Sequence, residues 1–480
     1  MPDVGMHEQS VVESARSLFY ERALVQFEEE WVGAIAAIPL PTGNLPADIP
    51  PANVSPTDLN YGEIFIRDNV PVMAYLLTQE KYSAVRHFLE TCLSLQSNQP
   101  QTRGIFPTSF VEVDGRLVAD YGQRAIGRVA SVDATLWWAI LAHAYVQKSG
   151  DRAFACQPDV QAGIQRFLDL VLHPSFRAAP TLHVPDGAFM IDRPLDVWGA
   201  PLEIQVLLYG SLLSAAGLMK MAIDASNSQS LIDRLQQTLD HARRLHAYLL
   251  QHYWITDQTV QVMRRYPTEQ YGEAIENEHN IQPEAIPDWV QNWLGDRSGY
   301  LIGNVRTGRP DFRFFTLGNS LGAIFDVLDC DQQRDLFRLI VHNQKDLVAQ
   351  MPLRICHPPL EGTEWQFQSG YDRKNWPGCY HNGGHWPCLT WFLAAAVLRQ
   401  PDRSVEAANL LESSYQMLLS QLPGQKWAEY FDGSTARWVG QQARLYQTWT
   451  LVGFLLMHHL LKVNPADAGI LNVPRLQDFR

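Results

Sequence analysis

The chain has 480 residues, of which 46% are hydrophobic and 19% charged, with a formal net charge of −13. This apolar share is ample for a large core and excludes disordered and collagen-like chains. The acidic balance argues against nucleic acid and anionic membrane surfaces as partners, because both select Lys/Arg-rich faces.

Trp 14, Tyr 17 and Phe 20 leave two readings, an aromatic-filled helical core or flat faces on which a sugar ring stacks. The six cysteines, at 92, 156, 330, 356, 379 and 388, include no C-x-x-C pair, so they read as reduced thiols of a cytoplasmic protein. Met1–Glu8 is not basic and leads into no apolar run, so no signal peptide is expected. The longest apolar stretches noted, 389–398 and 448–457, fall short of the roughly 20 residues of a membrane span.

Apolar residues recur at spacings of three and four over 11–29, 70–95, 132–148, 158–173, 202–223, 228–253, 318–329, 331–347, 386–399, 403–421 and 445–462, which predicts helices there. In the third, Val132, Leu136, Ile140 and Ala144 repeat every fourth residue. Ser131 and Asp133 stand there as cap and first-turn acid. The run at Asp326–Gln332 divides one apolar stretch into two helices. Between helices, short polar connectors alternate with long ones rich in Gly, Pro, Trp and His, at 34–63, 98–131, 175–201, 257–317, 349–388 and 422–444. No linker or composition shift marks a boundary, and no repeat of about 20–50 residues supports a solenoid. The expectation is an all-α chain: one (α/α)6 barrel, a six-hairpin toroid spanning 1–480, with a helical N-terminal extension over about 1–35 and long loops forming a funnel.

The long loops hold the chemistry-bearing residues. Arg67-Asp68 precedes a helix start, either as ion pair and cap or as a pair for sugar hydroxyls. Asp186, Asp192, Asp196 and Glu203 fall within eighteen residues beside Phe189, Met190 and Ile191. A carboxyl desolvated there would have a raised pKa, as a general acid needs. The bland alternative makes Asp186 a turn residue, Asp192 a partner of Arg193 and Glu203 a helix-start acid. Asn277–Ile281 is a weak polar turn. His381 and His385 have metal-ligand spacing only on a helix, and Gly383-Gly384 between them forbids one. Hydroxyl recognition with stacking suits that string better. Glu429, among Trp427, Tyr430 and Phe431, is a candidate partner carboxylate, since glycoside hydrolysis needs two. P-loop and dinucleotide fingerprints are missing.

Several strings together resemble one family. These are 60–68 (NYGEIFIRD), 125–129 (AIGRV), 132–138 (VDATLWW), 190–193 (MIDR), 201–205 (PLEIQ), 369–387 with its YHNGG turn, and 444–450 (RLYQTWT). In order along nearly the whole chain, they resemble the alkaline/neutral invertases, glycoside hydrolase family 100, in the form found in cyanobacteria. The resemblance implies a cytoplasmic (α/α)6 enzyme and homo-oligomer that splits sucrose into glucose and fructose by inversion at the glucose carbon. It implies no metal and no organic cofactor. It assigns the general acid to Asp192, with Asp186 as the alternative, and the general base to Glu429. Tyr61, Arg67, Asp68, Trp138, Arg193, Glu203, Gln205, His381, Asn382, Trp386, Arg444 and Trp449 are the expected substrate contacts. The two carboxyls are expected at about 6.5–9.5 Å, the spacing of inverting enzymes. A trehalase-like hydrolase, an epimerase using paired histidines, and a non-catalytic sugar-binding barrel are the competing classes.

Overall fold

Six helices in the sequence have no polar face. In the computed structural model, which describes residues 2–39, 61–123, 131–264, 283–306 and 308–480, these six are buried on nearly every side. In chain order the ring helices are α1 (Pro2–Leu18), α2 (Asn69–Thr78), α3 (Tyr82–Ser94), α4 (Val132–Ser149), α5 (Pro158–Val171) and α6 (Leu202–Ser226). They continue with α7 (Gln229–His252), α8 (Thr316–Ile324), α9 (Cys330–His342), α10 (Thr390–Leu398), α11 (Val405–Gln421) and α12 (Thr448–His458). The buried set is α2, α4, α6, α8, α10 and α12, and each packs on the next until α12 returns to α2. The others are amphipathic. In α5, for example, Val160, Ile164, Phe167, Leu168 and Val171 make one inward stripe, as expected of a helix with one face in water.

The sixth outer helix is α1. Its Val11, Val12 and Ala15 enter the core and it packs against α12. The stretch expected as an N-terminal extension therefore completes the ring. The predicted helix over 11–29 stops early. After α1 the chain makes one wider turn, Phe19–Ala23, then a hairpin of Leu24–Phe27 with Glu30–Ala34. Glu28 and Glu29 take positive φ at its turn. The predicted helix 70–95 is two helices, broken where Glu80 takes a φ of 56°. Thr78–Lys81 contains no Gly or Pro, so the break left no ordinary mark.

The connectors hold short strands that the sequence did not signal. Cys356–His357, Asp311–Phe315, Gly299–Asn304 and Trp254–Thr256 form one antiparallel sheet, in that order. Gly299–Asn304 and Asp311–Phe315 are buried at every position, so neither shows the alternation that marks a half-exposed strand. Four buried amides pin connectors, three to inner helices and the fourth, Asn382, within one connector. Asn69, Gln205, Asn319 and Asn382 each accept from the N–H and donate to the C=O of a single residue, Ala34, Leu182, Leu301 and Leu360 respectively. Each side chain thus acts as one rung of a strand pair and satisfies two backbone groups that burial would otherwise orphan.

Helix α6, at 25 residues, is apolar and long enough to cross a bilayer, longer than the stretches singled out from the sequence. It lies inside the ring, where its Leu, Ile and Val side chains meet the neighbouring helices on all sides.

Candidate active site

Asp68, Ser131, Trp386 and Trp449 each lie at or near the start of an inner helix, and all four line one cavity of about 570 Å³. The positive ends of the helix dipoles therefore converge there, a setting that favours carboxylates. Asp192 and Glu429 line the same cavity.

Asp192 arrives on a loop folded back upon itself. Gly187, at a φ of +77°, lies so close to the backbone of Asp192 and Arg193 that a Cβ would stand 3.2 Å from it. The carboxylate of Asp186 accepts the backbone N–H groups of Leu195, Asp196 and Val197 at 3.1–3.3 Å. Asp186 is thus the knot of the loop and does not line the cavity. Asp192 does. Its Oδ1 accepts the Tyr380 hydroxyl at 3.0 Å and lies 3.4 Å from Nδ1 of His381. Its Oδ2 is 4.0 Å from the Arg67 guanidinium. Burial raises the Asp192 pKa, against the opposing charges of Arg67, Lys374 and Arg193 and the Tyr380 hydrogen bond.

His381 is held neutral. Burial drives its pKa well down, and the cations Lys374, Arg67 and Arg193 add to this. The Asp192 backbone N–H points at Nδ1 at 3.3 Å, so Nδ1 carries a lone pair. That lone pair faces Oδ1, and the contact is relieved when a proton sits on Asp192.

Glu429 is held from the other side. Its N–H donates to the Arg444 carbonyl at 2.8 Å, and its Oε2 accepts the Arg444 N–H at 3.1 Å. Its Oε1 accepts the Tyr61 hydroxyl at 3.3 Å, and the Arg444 guanidinium lies over the Tyr61 ring. Burial raises the Glu429 pKa, while Lys374 and the Arg444 N–H pull it down. Both of its oxygens accept hydrogen bonds, which favour the carboxylate form.

Arg67 organises the acids between them. Its Nη1 donates to fully buried Asp133 at 3.1 Å, and its Nε lies 3.9 Å from Asp68. Burial lifts Asp68 to about 7, with Arg67 opposing and Glu429 adding to the rise. Glu203, in the first turn of α6, is lifted to about 8 by burial and by Asp133. Its Oε1 has no partner, and it lies behind the cavity wall.

Lys374 was missed in the sequence. Its Nζ stands 4.0 Å above the Tyr380 ring and 5.4 Å from that of Tyr430. Burial lowers its pKa, against the pull of Glu429 and Asp192. It lies in a polar string, Asp372-Arg373-Lys374-Asn375, that reads as a surface loop. The flanking Trp376 and the Tyr380-His381 pair were the only hint.

The other expected contacts divide cleanly. Tyr61, Arg67, Asp68, His381, Trp386 and Trp449 line the cavity. Trp386 stacks on Tyr430, and Trp449 meets it edge-on at 5.7 Å. The Trp449 indole N–H has no partner. Trp138, Gln205, Asn382, Arg193, Glu203 and Arg444 do not line it. Trp138 is core: its indole N–H donates to the Leu89 carbonyl and its ring stacks on Phe106. Gln205 and Asn382 are consumed as backbone clamps. Arg193 pairs with Asp372 at 3.0 Å. Arg444 contributes its backbone to Glu429 and its side chain to Tyr61.

His385 turns away from His381, because Gly384 doubles the chain back onto Tyr380. Both ring nitrogens of His385 are buried without a partner, and burial brings its pKa to about 3. Among the described residues no cluster of three His, Cys, Asp or Glu could hold a metal. All six cysteines are free thiols. Asn60, 125–129 and the turn at 277–281 lie outside the described residues.

The ring with its cavity at the inner-helix N-termini defines an (α/α)6 glycosidase fold. A solved wild-type glycosidase covers 95% of this chain and 98% of its own at a TM-score of 0.55 and 13% identity. A bacterial glucoamylase bound to acarbose covers 86% and 50% at 0.52 and 11%. Identities this low carry the fold and nothing finer. The sequence goes further. The family model described as alkaline and neutral invertase, glycoside hydrolase family 100, matches residues 16–465. Alkaline/neutral invertase CINV1 of Arabidopsis thaliana is 36% identical over 467 residues, 94% of this chain and 80% of the relative. Alkaline/neutral invertase E, chloroplastic, of the same plant is 39% identical over 459 residues, 92% and 72%. Cytosolic invertase 1 of Oryza sativa subsp. japonica is 36% identical over 470 residues, 94% and 78%. The chain belongs to the alkaline/neutral invertase family of glycoside hydrolases.

Proposed function

We propose that the chain hydrolyses sucrose to glucose and fructose, with inversion at the glucose anomeric carbon, using Asp192 as general acid and Glu429 as general base. One observation carries the assignment of roles. Two buried carboxyls line one cavity, Asp192 facing a neutral imidazole lone pair that favours its protonated form, Glu429 accepting two hydrogen bonds that favour its ionised form.

In this scheme the Asp192 proton passes to the bridging oxygen as the bond from glucose C1 breaks, and fructose leaves with the electron pair. Glu429 takes a proton from the water that attacks C1 from the opposite face. Arg67 and Asp68 are placed for sugar hydroxyls, and the unpartnered Trp449 N–H is a donor awaiting an acceptor. Trp386 offers an apolar face. Lys374 balances the acidic cluster and helps keep Glu429 ionised.

Paired-histidine epimerase chemistry is disfavoured, because only His381 of the two reaches the cavity. We take the whole chain as one catalytic unit working in the cytoplasm, in line with the relative named cytosolic invertase 1. We also take it to be a homo-oligomer, for which exposed Phe367, Tyr371 and Trp376 offer an apolar contact patch.

The test is hydrolysis of sucrose, with trehalose as competitor, followed by proton NMR of the first glucose released. Sucrose cleavage with β-glucose appearing first is expected. First-formed α-glucose would replace inversion by retention, and preference for trehalose would remove the substrate assignment.

A further inference from the structure

A second hollow lies on the outer wall, away from the catalytic cavity. It is a depression open to solvent, about 750 Å³ with the solvent space included, between Leu172 at the end of α5, the hairpin Arg177–Ala178 with Thr181–Leu182, and the middle of α7. Its lining includes Arg177, Gln237, Asp240, His241 and Arg244.

The arrangement at its floor is electrostatically unusual. His241 donates through Nε2 to the Pro180 carbonyl at 2.8 Å, which leaves Nδ1 as a lone pair. Both arginines converge on that one nitrogen, Arg177 at 3.3 Å and Arg244 at 3.2 Å. The imidazole is neutral, with burial bringing its pKa to about 4. Among the described residues neither guanidinium forms an ion pair, although arginines so close together ordinarily share a carboxylate. The one acid in the lining, Asp240, accepts Arg243 at 2.5 Å and the Gln236 amide at 2.8 Å, both through Oδ1, and pairs with neither Arg177 nor Arg244. Gln237 accepts from Arg234 at 2.7 Å through its oxygen, so its NH2 remains as a third donor.

Two forks and an amide around a hollow, with neither guanidinium in an ion pair, match a tetrahedral oxyanion. Its several acceptor oxygens can take bidentate guanidinium contacts and neutralise the repulsion. We propose that Arg177, Arg244 and Gln237 form a binding site for a phosphoryl group, either free phosphate or the phosphate of a phosphorylated sugar.

The test is calorimetric titration of the full-length protein with inorganic phosphate and, separately, glucose 6-phosphate, at constant ionic strength in chloride. The wild type should bind phosphate saturably, and the double substitution Arg177→Gln/Arg244→Gln should weaken this at least tenfold. Arg334→Gln, an exposed arginine on α9 paired with Asp331 and outside the hollow, should leave it within twofold. Sucrose turnover reports folding, and the single variant Arg244→Gln, at an exposed position, gives a second reading if the double variant is unstable. Tighter binding of glucose 6-phosphate than of phosphate, lost with the arginines, assigns the site to a sugar phosphate. Equal or weaker binding assigns it to the free ion. Absence of saturable phosphate binding, or binding that survives both substitutions, overturns the proposal.

Discussion

Within the loop leading into α6, Asp186 and Asp196 bind the protein itself, while Asp192, midway between them, faces the cavity. Asp186 accepts four backbone contacts from three residues. Asp196 takes both nitrogens of the Arg306 fork, at 2.7 and 3.1 Å, and Arg309 besides. Asp192 has a tyrosine hydroxyl, a neutral imidazole and a guanidinium at the edge of contact. Burial acts on all three, but Asp196 ends below the ordinary carboxylate range because its arginines outweigh it. Asp186 and Asp192 both end above that range, burial outweighing the Asp186 backbone donors as it outweighs the cations around Asp192. The difference lies in the donors. Fixed donors that saturate a carboxylate commit it to structure, whereas a carboxyl with spare lone pairs facing a hollow can deliver a proton.

The sharpest way to break this comparison is at the chemistry. Asp192→Asn and Glu429→Gln are each expected to lower kcat for sucrose about 10³-fold or more. Their circular dichroism and melting temperature should stay near those of the wild type. Either variant working within tenfold of the wild type removes the pair. Lys374→Met is expected to lower kcat by roughly 10–100-fold and to move both limbs of the pH–rate profile upward. The sign follows from the charge: without the cation, Asp192 keeps its proton to higher pH, and Glu429 ionises later. Unmoved limbs in a stopped-flow pH series would detach Lys374 from the carboxyls.

Asp186→Asn should do the reverse of Asp192→Asn. The melting temperature falls by several degrees, because an amide replaces an acceptor of several N–H groups, while kcat stays within about tenfold. Collapse of kcat with an unchanged melting temperature would make Asp186 the acid. The smallest effect is expected at Glu203. Its folded pKa is raised to about 8, so its contribution to stability is present below its unfolded pKa and is lost as pH rises through 8. Glu203→Gln should therefore flatten the loss of melting temperature between about pH 5 and 8, by about 2–5 °C. Parallel curves for wild type and variant would show that Glu203 does not titrate there.

Much of the ring was legible because helical periodicity survives in a single sequence. The outer helices show it directly, and the inner ones show it as runs apolar all round. What periodicity could not say is which turn of an inner helix meets the cavity. Asp133 and Trp138 stand on the same helix, one turn and a half apart. The first ties into the Arg67 network at the mouth, and the second stacks on Phe106 within the wall. Asn382 and Gln205 misled for a related reason. A buried amide suits a sugar hydroxyl and a backbone rung equally well, and only the neighbouring connector decides. Lys374 stayed hidden because its polar string is that of an ordinary loop, and its ammonium is covered by Tyr380 in the same connector and by Tyr430, which only the fold brings near. Asp192 and Glu429 were two acids among several, noticeable beside apolar and aromatic neighbours, and only the resemblance to the alkaline/neutral invertases singled them out.

The pairing of α1 with α12 has a consequence for how the molecule is made. The ring closes only when the last inner helix meets the first outer one, a contact between the two ends of the chain. The cavity likewise takes Tyr61 and Arg67 from early in the sequence and Glu429 and Trp449 from late in it. At about 5–20 residues per second of synthesis, roughly tens of seconds separate the emergence of α2 from that of α12. During that interval the nascent chain carries an open apolar wall and no site at all. A slow last folding step dominated by long-range contacts is expected from that one seam.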